Sequence, residues 1–280
     1  MSESKWWPAP AKINLFLHVT GRRADGYHEL QTAYQFMDYC DWLKFEVTEE
    51  STVQRLTNPE LPVEDLTVKA ARKLKTFAQV AGGVKISIQK NLPSGAGLGG
   101  GSSDAATTLL VLNKLWKTGL TRVQLQEIGS QLGADVPVFV YGRAAWAEGI
   151  GDQFSAFSPD EGWYCVVKPQ IHVNTVDIFC DMQLTRNTPE IRIRDFSANR
   201  SRNDLEAVTR RLYPEVDKVC RWLGNFGHAR MSGSGAAVFV AVPDSGAGER
   251  ILAMMPTEWS GFVARAVNRH PLYESLVSKP

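Results

Sequence analysis

The sequence predicts an α+β protein of two domains, and three observations carry that prediction. The chain has 280 residues, 44% of them hydrophobic, which is enough to bury a substantial core and to form two domains. In the first half, a strand pattern, a glycine-rich loop and a helix pattern follow one another over residues 84–116. The second half has the order β-α-β-β-α-β, which is typical of a ferredoxin-like domain. We therefore predict domains over residues 1–158 and 159–280.

Composition excludes several classes of protein. Charges nearly balance, at a net +1, so charge favours neither nucleic acid nor a membrane surface as a partner. The four cysteines are widely spaced and the five histidines form no ligand cluster, which indicates a reduced protein without a structural metal. The first residues lack the apolar region of a signal peptide, and no run of 18 apolar residues occurs. We therefore expect a cytoplasmic protein.

The chain opens with a strand that carries polar residues on one side. Alternation separates one face with Lys12, Asn14, Phe16 and His18 from another with Ile13, Leu15, Leu17 and Val19. A solvated strand face is the ordinary explanation of the polar row. The alternative is that Lys12 supplies a cation to a binding site elsewhere in the chain.

A hairpin and a first helix follow. Asp25-Gly26 between two extended runs is a strong hairpin signal, and Tyr27 and His28 come directly after it. A ring beside an imidazole can stack on and hydrogen-bond a planar base, although a hairpin tyrosine more often packs on its own sheet. Strands are predicted over residues 29–36 and 42–48, and an amphipathic helix over 65–80.

The glycine-rich loop lies between a period-two strand at residues 84–88 and a helix pattern at 105–116. It consists of Pro93, Ser94, Gly95, Ala96, Gly97, Leu98, Gly99, Gly100, Gly101, Ser102 and Ser103. Its glycines let backbone N–H groups approach a bulky anion and permit positive φ where the loop curls. The two serines are good N-cap residues, so the positive end of the helix dipole would face the loop. This combination suits a phosphate chain.

Three other interpretations of the loop are weaker. The glycines fit G-x-G-x-x-G, but a dinucleotide fold needs an acidic residue about 20 positions on, and residues 115–122 contain none. A Walker A loop needs a lysine before its Ser or Thr, and Gly101 is followed directly by Ser102. A flexible linker does not usually open a well-patterned helix. If phosphates bind here, their cation comes from another part of the chain.

Asp135 follows a predicted helix over residues 121–132. The order Asp135-Val136-Pro137 resembles a helix start, so the carboxylate could be only a cap. It could instead face the phosphate site as a base or a charge-positioning group. A strand is predicted from 141 to 147, and residues 149–162 mark the junction between the domains.

The second half supplies the ferredoxin-like elements. Strands are predicted over residues 163–167, 228–231, 236–242 and 262–267, and helices over 203–223 and 248–255. A second glycine cluster, Ser232-Gly233-Ser234-Gly235, leads into a buried strand. Asn203 and Glu206 form a variant of the capping box, so we assign this run a structural role.

Several of these segments together resemble the GHMP kinase superfamily, which has no Walker lysine. They are Pro93-x-x-x-Gly97-Leu98-Gly99-Gly100-Gly101-Ser102-Ser103, Arg23-x-Asp25-Gly26-Tyr27-His28, and residues 9–15, 133–139 and 232–236. In combination they are most similar to the branch that acts on a cytidine diphosphate conjugate of methylerythritol. The resemblance implies an N-terminal domain of the ribosomal-protein-S5-domain-2-like type and a ferredoxin-like C-terminal domain, with the active site between them.

The resemblance also implies an activity and roles for residues. The branch transfers the γ-phosphoryl group of ATP, with Mg²⁺, to the 2-hydroxyl of 4-(cytidine 5'-diphospho)-2-C-methyl-D-erythritol, in the non-mevalonate isoprenoid route. Residues 93–103 would bind ATP, while Asp135 would accept the proton of the hydroxyl and Lys12 would steady the reacting oxygens. The acceptor substrate would be held by Asn14, Tyr27, His28, Phe179, Gly233, Ser234 and Gly235.

Two positions depart from the family pattern, and two other functions stay open. Asp65 and Asp104 stand where relatives tend to carry asparagine, so we assign no adenine contact to Asp65 and name no carboxylate as a metal ligand. Mg²⁺ would then be held mainly by ATP, with Ser102 or Ser103 nearby. The alternatives are a kinase of homoserine or mevalonate and a nucleotide-binding sensor without catalysis. We expect only small-molecule partners, and a monomer or weak homodimer.

Overall fold

The computed structural model describes residues 5–59, 61–197 and 202–277. The strands are β1 (Trp6–Arg22), β2 (His28–Thr48), β3 (Val53–Arg55), β4 (Gly83–Gln89), β5 (Ala145–Glu148), β6 (Gln153–Ala156), β7 (Trp163–Pro169), β8 (Arg230–Met231), β9 (Val238–Val242) and β10 (Trp259–Val267). The helices are α1 (Leu66–Phe77), α2 (Gly100–Leu115), α3 (Arg122–Ser130), α4 (Val136–Tyr141), α5 (Thr175–Cys180), α6 (Glu206–Leu212), α7 (Pro214–Leu223), α8 (Ser245–Ala253) and α9 (Leu272–Val277).

β1 and β2 form a long antiparallel hairpin that turns at Asp25-Gly26, as the sequence predicts. Two separate strands were expected after the turn, but β2 is one continuous strand because it pairs with β1 along most of its length and then with β4. β3 adds to β4 in parallel, and β5 and β6 pair beside β2. Helices α1 and α2 pack against this sheet through a shared apolar core.

The alternation predicted for β1 is wrong beyond Asn14. The register against β2 shifts between Asn14 and Phe16, where a β-bulge exchanges the two faces of the strand. Ile13 and Leu15 therefore pack in a central core, whereas Leu17 packs with the helices of the second half. The shift leaves Lys12 and Asn14 on the side that faces the glycine-rich loop.

The strands of the second half are ordered β10-β7-β9-β8 and are all antiparallel, which confirms the ferredoxin-like arrangement. The single helix expected over residues 203–223 is two helices, because Pro214 opens α7 and cannot continue the hydrogen bonds of α6. Asn203 and Glu206 do not form a capping box. Instead, the Asn203 amide donates to Gly233 O at 2.7 Å, and Glu206 accepts from Met231 N at 3.0 Å, so both hold the second glycine cluster.

The two halves are joined by β10, whose last residues pair with β2 while the rest pairs with β7. The chain then returns to the first half, where Leu272 of α9 is buried in the core of β1, β2 and α2. A central apolar cluster lies where the two halves meet and contains Phe16, Trp146 and Phe239. The domain boundary near residue 158 stays a prediction. Among the described residues, no helix has the length and hydropathy to span a bilayer.

Candidate active site

A cavity of about 870 Å³ lies between the two halves, bounded by β1, the glycine-rich loop, the start of α4 and α5. The predicted site residues on its wall are Lys12, Asn14, Pro93, Ser94, Gly95, Ala96, Gly97, Gly99, Gly100, Gly101, Ser102, Asp135, Phe179, Gly233, Ser234 and Gly235. Leu98 and Ser103 are buried behind the loop. Tyr27 and His28 do not line the cavity. Phe179 does, and its ring centroid lies 5.1 Å from that of His28.

Lys12 and Asp135 form an ion pair on the cavity wall. Lys12 is only 2% exposed, and its Nζ lies 3.2 Å from Asp135 Oδ2, so burial of the ammonium is compensated by a carboxylate. Asp135 occupies the N-cap position of α4, but its side chain makes no cap hydrogen bond. The interpretation of Lys12 as part of a solvated strand face is therefore wrong, and Asp135 is more than a helix cap.

Two polar side chains orient this pair. Lys12 Nζ donates to Asn14 Oδ1 at 2.7 Å, and the Asn14 amide in turn donates to Thr32 Oγ1 at 2.9 Å. The Tyr34 hydroxyl donates to Asp135 Oδ1 at 3.4 Å, and burial together with the Asp135 charge raises the pKa of Tyr34 well above its usual value. Tyr34 therefore stays a donor, and one oxygen of Asp135 faces each partner.

The glycine-rich loop leads directly into α2. The helix begins at Gly100, and Gly99 before it is the N-cap residue, in the left-handed conformation at φ +73°. Ser102 and Ser103 therefore lie in the first turn of the helix, and the prediction that they cap it is wrong. Ser103 N donates to Gly99 O at 2.8 Å, but the three preceding N–H groups have no intrahelical acceptor. Those N–H groups and the positive helix end suit an anion at this place.

The loop is fixed to the second glycine cluster by hydrogen bonds. Ser232 Oγ donates to Gly97 O at 2.9 Å, and Ala237 N donates to Ala96 O at 3.0 Å. A Cβ on Gly97 would lie 2.1 Å from Ser232 O, so only glycine permits this approach. The two glycine clusters, one from each half, thus form one wall of the cavity.

An ionic cluster behind the loop was missed by sequence reasoning. Asp41 Oδ1 accepts from Leu92 N at 2.7 Å, where the loop begins, and Lys90 contacts both Asp41 and Asp104. Burial raises the pKa of Asp104 to about 7, against the opposing effect of Lys90, 2.8 Å away. Because the carboxyl groups of Asp41 and Asp104 both contact Lys90, its positive charge is already compensated within the protein. No local motif marks Asp41, since its partners become adjacent only when β2 pairs with β4.

Asp65, to which we assign no adenine contact, has structural partners in this chain. It caps α1 by accepting from Thr67 N at 2.7 Å, and it forms an ion pair with Arg55. Its carboxylate is thereby committed to the protein, although Asp65 also lines the cavity.

A second cluster surrounds the first residue of β2. Arg186 Nε donates to His28 Nε2 at 3.0 Å, and Arg186 Nη2 donates to Phe179 O at 2.9 Å. Tyr27 stands beside them on the hairpin turn with 63% of its surface exposed. Arg186 was also missed, because no spacing rule connects it to a residue so distant in the chain.

Among the described residues, no group of three or more histidine, cysteine, aspartate or glutamate side chains could hold a metal ion. Mg²⁺ commonly keeps several waters and binds one or two carboxylates together with substrate phosphates, so a dedicated protein cage is not required.

Comparisons with known proteins show the family of the chain. The family model for the GHMP kinases N terminal domain matches residues 65–143, and the model for the GHMP kinases C terminal domain matches residues 185–261. A 4-diphosphocytidyl-2-C-methyl-D-erythritol kinase of Halorhodospira halophila is 51% identical, over 99% of this chain and 98% of its own. The corresponding kinase of Nitrosococcus oceani is 48% identical, over 96% and 97% respectively.

Solved structures give the same result. A crystal structure of 4-(cytidine 5'-diphospho)-2C-methyl-D-erythritol kinase superposes with a TM-score of 0.83 and 31% identity, covering 94% of this chain and 99% of the other. The mevalonate kinase of Methanococcus jannaschii shares the fold, with a TM-score of 0.71 at 16% identity over 95% of this chain and 99% of the other. By full-length identity as well as by fold, the chain belongs to the 4-diphosphocytidyl-2-C-methyl-D-erythritol kinase family, within the GHMP kinases.

Proposed function

We propose that the chain transfers the γ-phosphoryl group of ATP to the 2-hydroxyl of 4-(cytidine 5'-diphospho)-2-C-methyl-D-erythritol, a step of the non-mevalonate route to isoprenoids. One observation carries the proposal: the Lys12–Asp135 ion pair lies in the same cavity as the free N–H groups at the start of α2. An anion site beside a carboxylate and an ammonium is what phosphoryl transfer to an alcohol requires.

Asp135 is the proposed proton acceptor for the attacking hydroxyl. Its carboxylate is 31% exposed on the cavity wall, so a substrate hydroxyl can reach it, whereas Lys12 behind it is almost fully buried. Lys12 stabilises negative charge on Asp135 and on the reacting oxygens at short range. Asn14 holds the ammonium in place through its 2.7 Å hydrogen bond, and it is the proposed contact to the methylerythritol part.

Residues 93–103 are the proposed site of the ATP phosphates. The free N–H groups of Gly100, Gly101 and Ser102 would hold the phosphate oxygens. The chemistry that Mg²⁺ supplies when bound is neutralisation of charge on those oxygens, and the Ser102 hydroxyl on the cavity wall is the proposed side chain beside it.

The second glycine cluster is part of the proposed place for the acceptor substrate. Gly233, Ser234 and Gly235 line the cavity next to Gly97 of the glycine-rich loop, and Ser234 Oγ is fixed by a 2.7 Å hydrogen bond to Thr175 Oγ1. Tyr27, His28 and Phe179 are the proposed contacts to cytosine. The cytoplasmic location and the monomer or weak homodimer expected from the sequence stay predictions.

A coupled ADP-release assay tests the function. The purified chain is incubated with ATP, Mg²⁺ and, separately, the cytidine diphosphate conjugate, homoserine, mevalonate and galactose, and ³¹P NMR identifies the phosphorylated position. We expect turnover of the conjugate alone, at its 2-hydroxyl. Turnover of homoserine or mevalonate would replace this function with that of a sister kinase, and tight binding of the conjugate without ADP release would indicate a sensor.

A further inference from the structure

We propose that Arg186 is a positioning residue that fixes the tautomer of His28, so that the imidazole offers an N–H donor at Nδ1 to the substrate's base. This inference rests on the proposed function, because it concerns recognition of the pyrimidine. It involves the four residues that we call the base end of the site: Tyr27, His28, Phe179 and Arg186.

The hydrogen bond between the two side chains determines where the imidazole proton is. A guanidinium has only donors, so the 3.0 Å contact from Arg186 Nε requires a lone pair on His28 Nε2. In a neutral imidazole the other nitrogen then carries the proton. Within the described part of the chain, no other hydrogen bond of the His28 side chain occurs, so Nδ1–H is available to a ligand.

The same arrangement keeps His28 neutral. Burial lowers the pKa of His28, and the positive charges of Arg186 and Arg22 lower it further. A second proton on the ring would take the Nε2 lone pair that accepts from Arg186. His28 therefore presents one fixed donor rather than a donor and an acceptor that exchange.

Arg186 also holds the stacking residue. Its Nη2 donates to Phe179 O at 2.9 Å and to Asp181 O at 2.8 Å, and its Nη1 donates to Leu184 O at 3.2 Å. These carbonyls lie in and just after α5, whereas His28 begins β2. The Arg186 side chain therefore connects the His28 imidazole to the backbone of Phe179. The ring centroids of His28 and Phe179 lie 5.1 Å apart.

A fixed donor has a consequence for base selectivity. Cytosine and uracil both accept a hydrogen bond at O2, but they differ at N3, which is an acceptor in cytosine and carries a proton in uracil. An imidazole that is held as the Nδ1–H tautomer and donates to N3 therefore favours cytosine, whereas a ring free to change tautomer could offer an acceptor to the N3–H of uracil. Arg186 is in this way a determinant of specificity that need not touch the base.

NMR of the full-length chain tests the tautomer directly. Long-range ¹H–¹⁵N spectra of histidine-labelled protein at pH 8, without substrate, are expected to show His28 protonated at Nδ1, with the signal assigned through its loss in His28→Asn. In Arg186→Met the Nδ1–H pattern should give way to the Nε2–H form that free imidazoles favour. An Nε2–H tautomer in the unmodified chain, or an unchanged pattern in Arg186→Met, would overturn the proposal without bearing on the kinase activity.

Binding selectivity provides the second measurement. Calorimetry with CMP and UMP is expected to give a roughly fivefold to tenfold loss of CMP affinity in Arg186→Met, from one lost hydrogen bond, and a smaller loss for UMP. Arg186→Lys retains a donor and should recover part of the CMP preference. Arg221→Met is the matched control, because Arg221 is a largely exposed residue on α7. Equal losses for CMP and UMP in both Arg186 variants would mean that the residue only supports the fold.

Discussion

At one end of the cavity the side chains stand on or beside buried elements, whereas at the base end they stand on a hairpin turn and a largely exposed helix. The first group, which we call the phosphate end, comprises Lys12, Asn14, Asp135 and residues 93–103. Lys12 and Asn14 are each 2% exposed in β1, and the loop opens a 16-residue helix. At the base end, Tyr27 is 63% exposed and Phe179 belongs to the short helix α5.

This difference separates two tasks of the proposed reaction. Phosphoryl transfer needs reacting atoms held to a fraction of an ångström, and side chains locked by packing and ion pairs provide that. Binding of a planar base needs contact area and one or two directed hydrogen bonds, which residues on exposed elements can supply. We therefore expect substitutions at the phosphate end to lower kcat, and those at the base end to raise KM.

Asp135→Asn should have the largest effect. It keeps the shape of the side chain but removes the proposed proton acceptor, so kcat should fall by about 10²–10⁴-fold while KM for both substrates changes little. Steady-state kinetics and a thermal melt measure this, with Asp195→Asn on an exposed turn as the control. A folded Asp135→Asn variant with kcat within threefold of the unmodified chain would remove Asp135 from the chemistry.

Gly97→Ala should have the next largest effect, and Gly119→Ala is its matched control. Both glycines have φ near +70°, but a Cβ would lie 2.1 Å from Ser232 O at Gly97 and would have nothing within 4 Å at Gly119. Backbone strain of about 1 kcal/mol is common to both variants. The contact at Gly97 displaces the loop as well, so kcat/KM for ATP should fall about 10–100-fold in that variant alone.

Urea unfolding separates the two causes in these glycine variants. The control should lose stability without losing affinity for ATP, because its alanine meets no neighbour. If both variants lost kcat/KM equally, the close approach of the two glycine clusters would be irrelevant to ATP, and the phosphate end would not depend on its rigidity.

The parts of the structure that local patterns determine could be predicted. The turn at Asp25-Gly26, the strand before the loop and the succession of strands and helices along the second half follow from periodicity and turn residues, which act over a few positions. The division of residues 203–223 into two helices was also readable, because Pro214 cannot continue a helix. The regular apolar spacing on both sides of Pro214 nevertheless favoured the prediction of one continuous helix.

What the sequence could not supply depends on contacts between distant residues. The bulge after Asn14 has no local marker, because tertiary packing decides where β1 changes faces. Asp41 and Arg186 likewise act on partners that only the folded chain brings near. The glycine-rich loop was visible as a motif, whereas the close contact between Lys12 and Asp135 required the structure.

Phe179→Ala, at the base end, should have the smallest effect of the three. Stacking of a base on an aromatic ring contributes about 1–3 kcal/mol, so KM for the cytidine conjugate should rise roughly tenfold while kcat stays within twofold. Phe179→Tyr keeps a ring and should bind nearly normally, and Met182→Ala, at a 95% exposed neighbour, is the control. A fall in kcat at unchanged KM would instead mean that α5 positions the reacting hydroxyl, so the base end would take part in catalysis and the division between the two ends would fail.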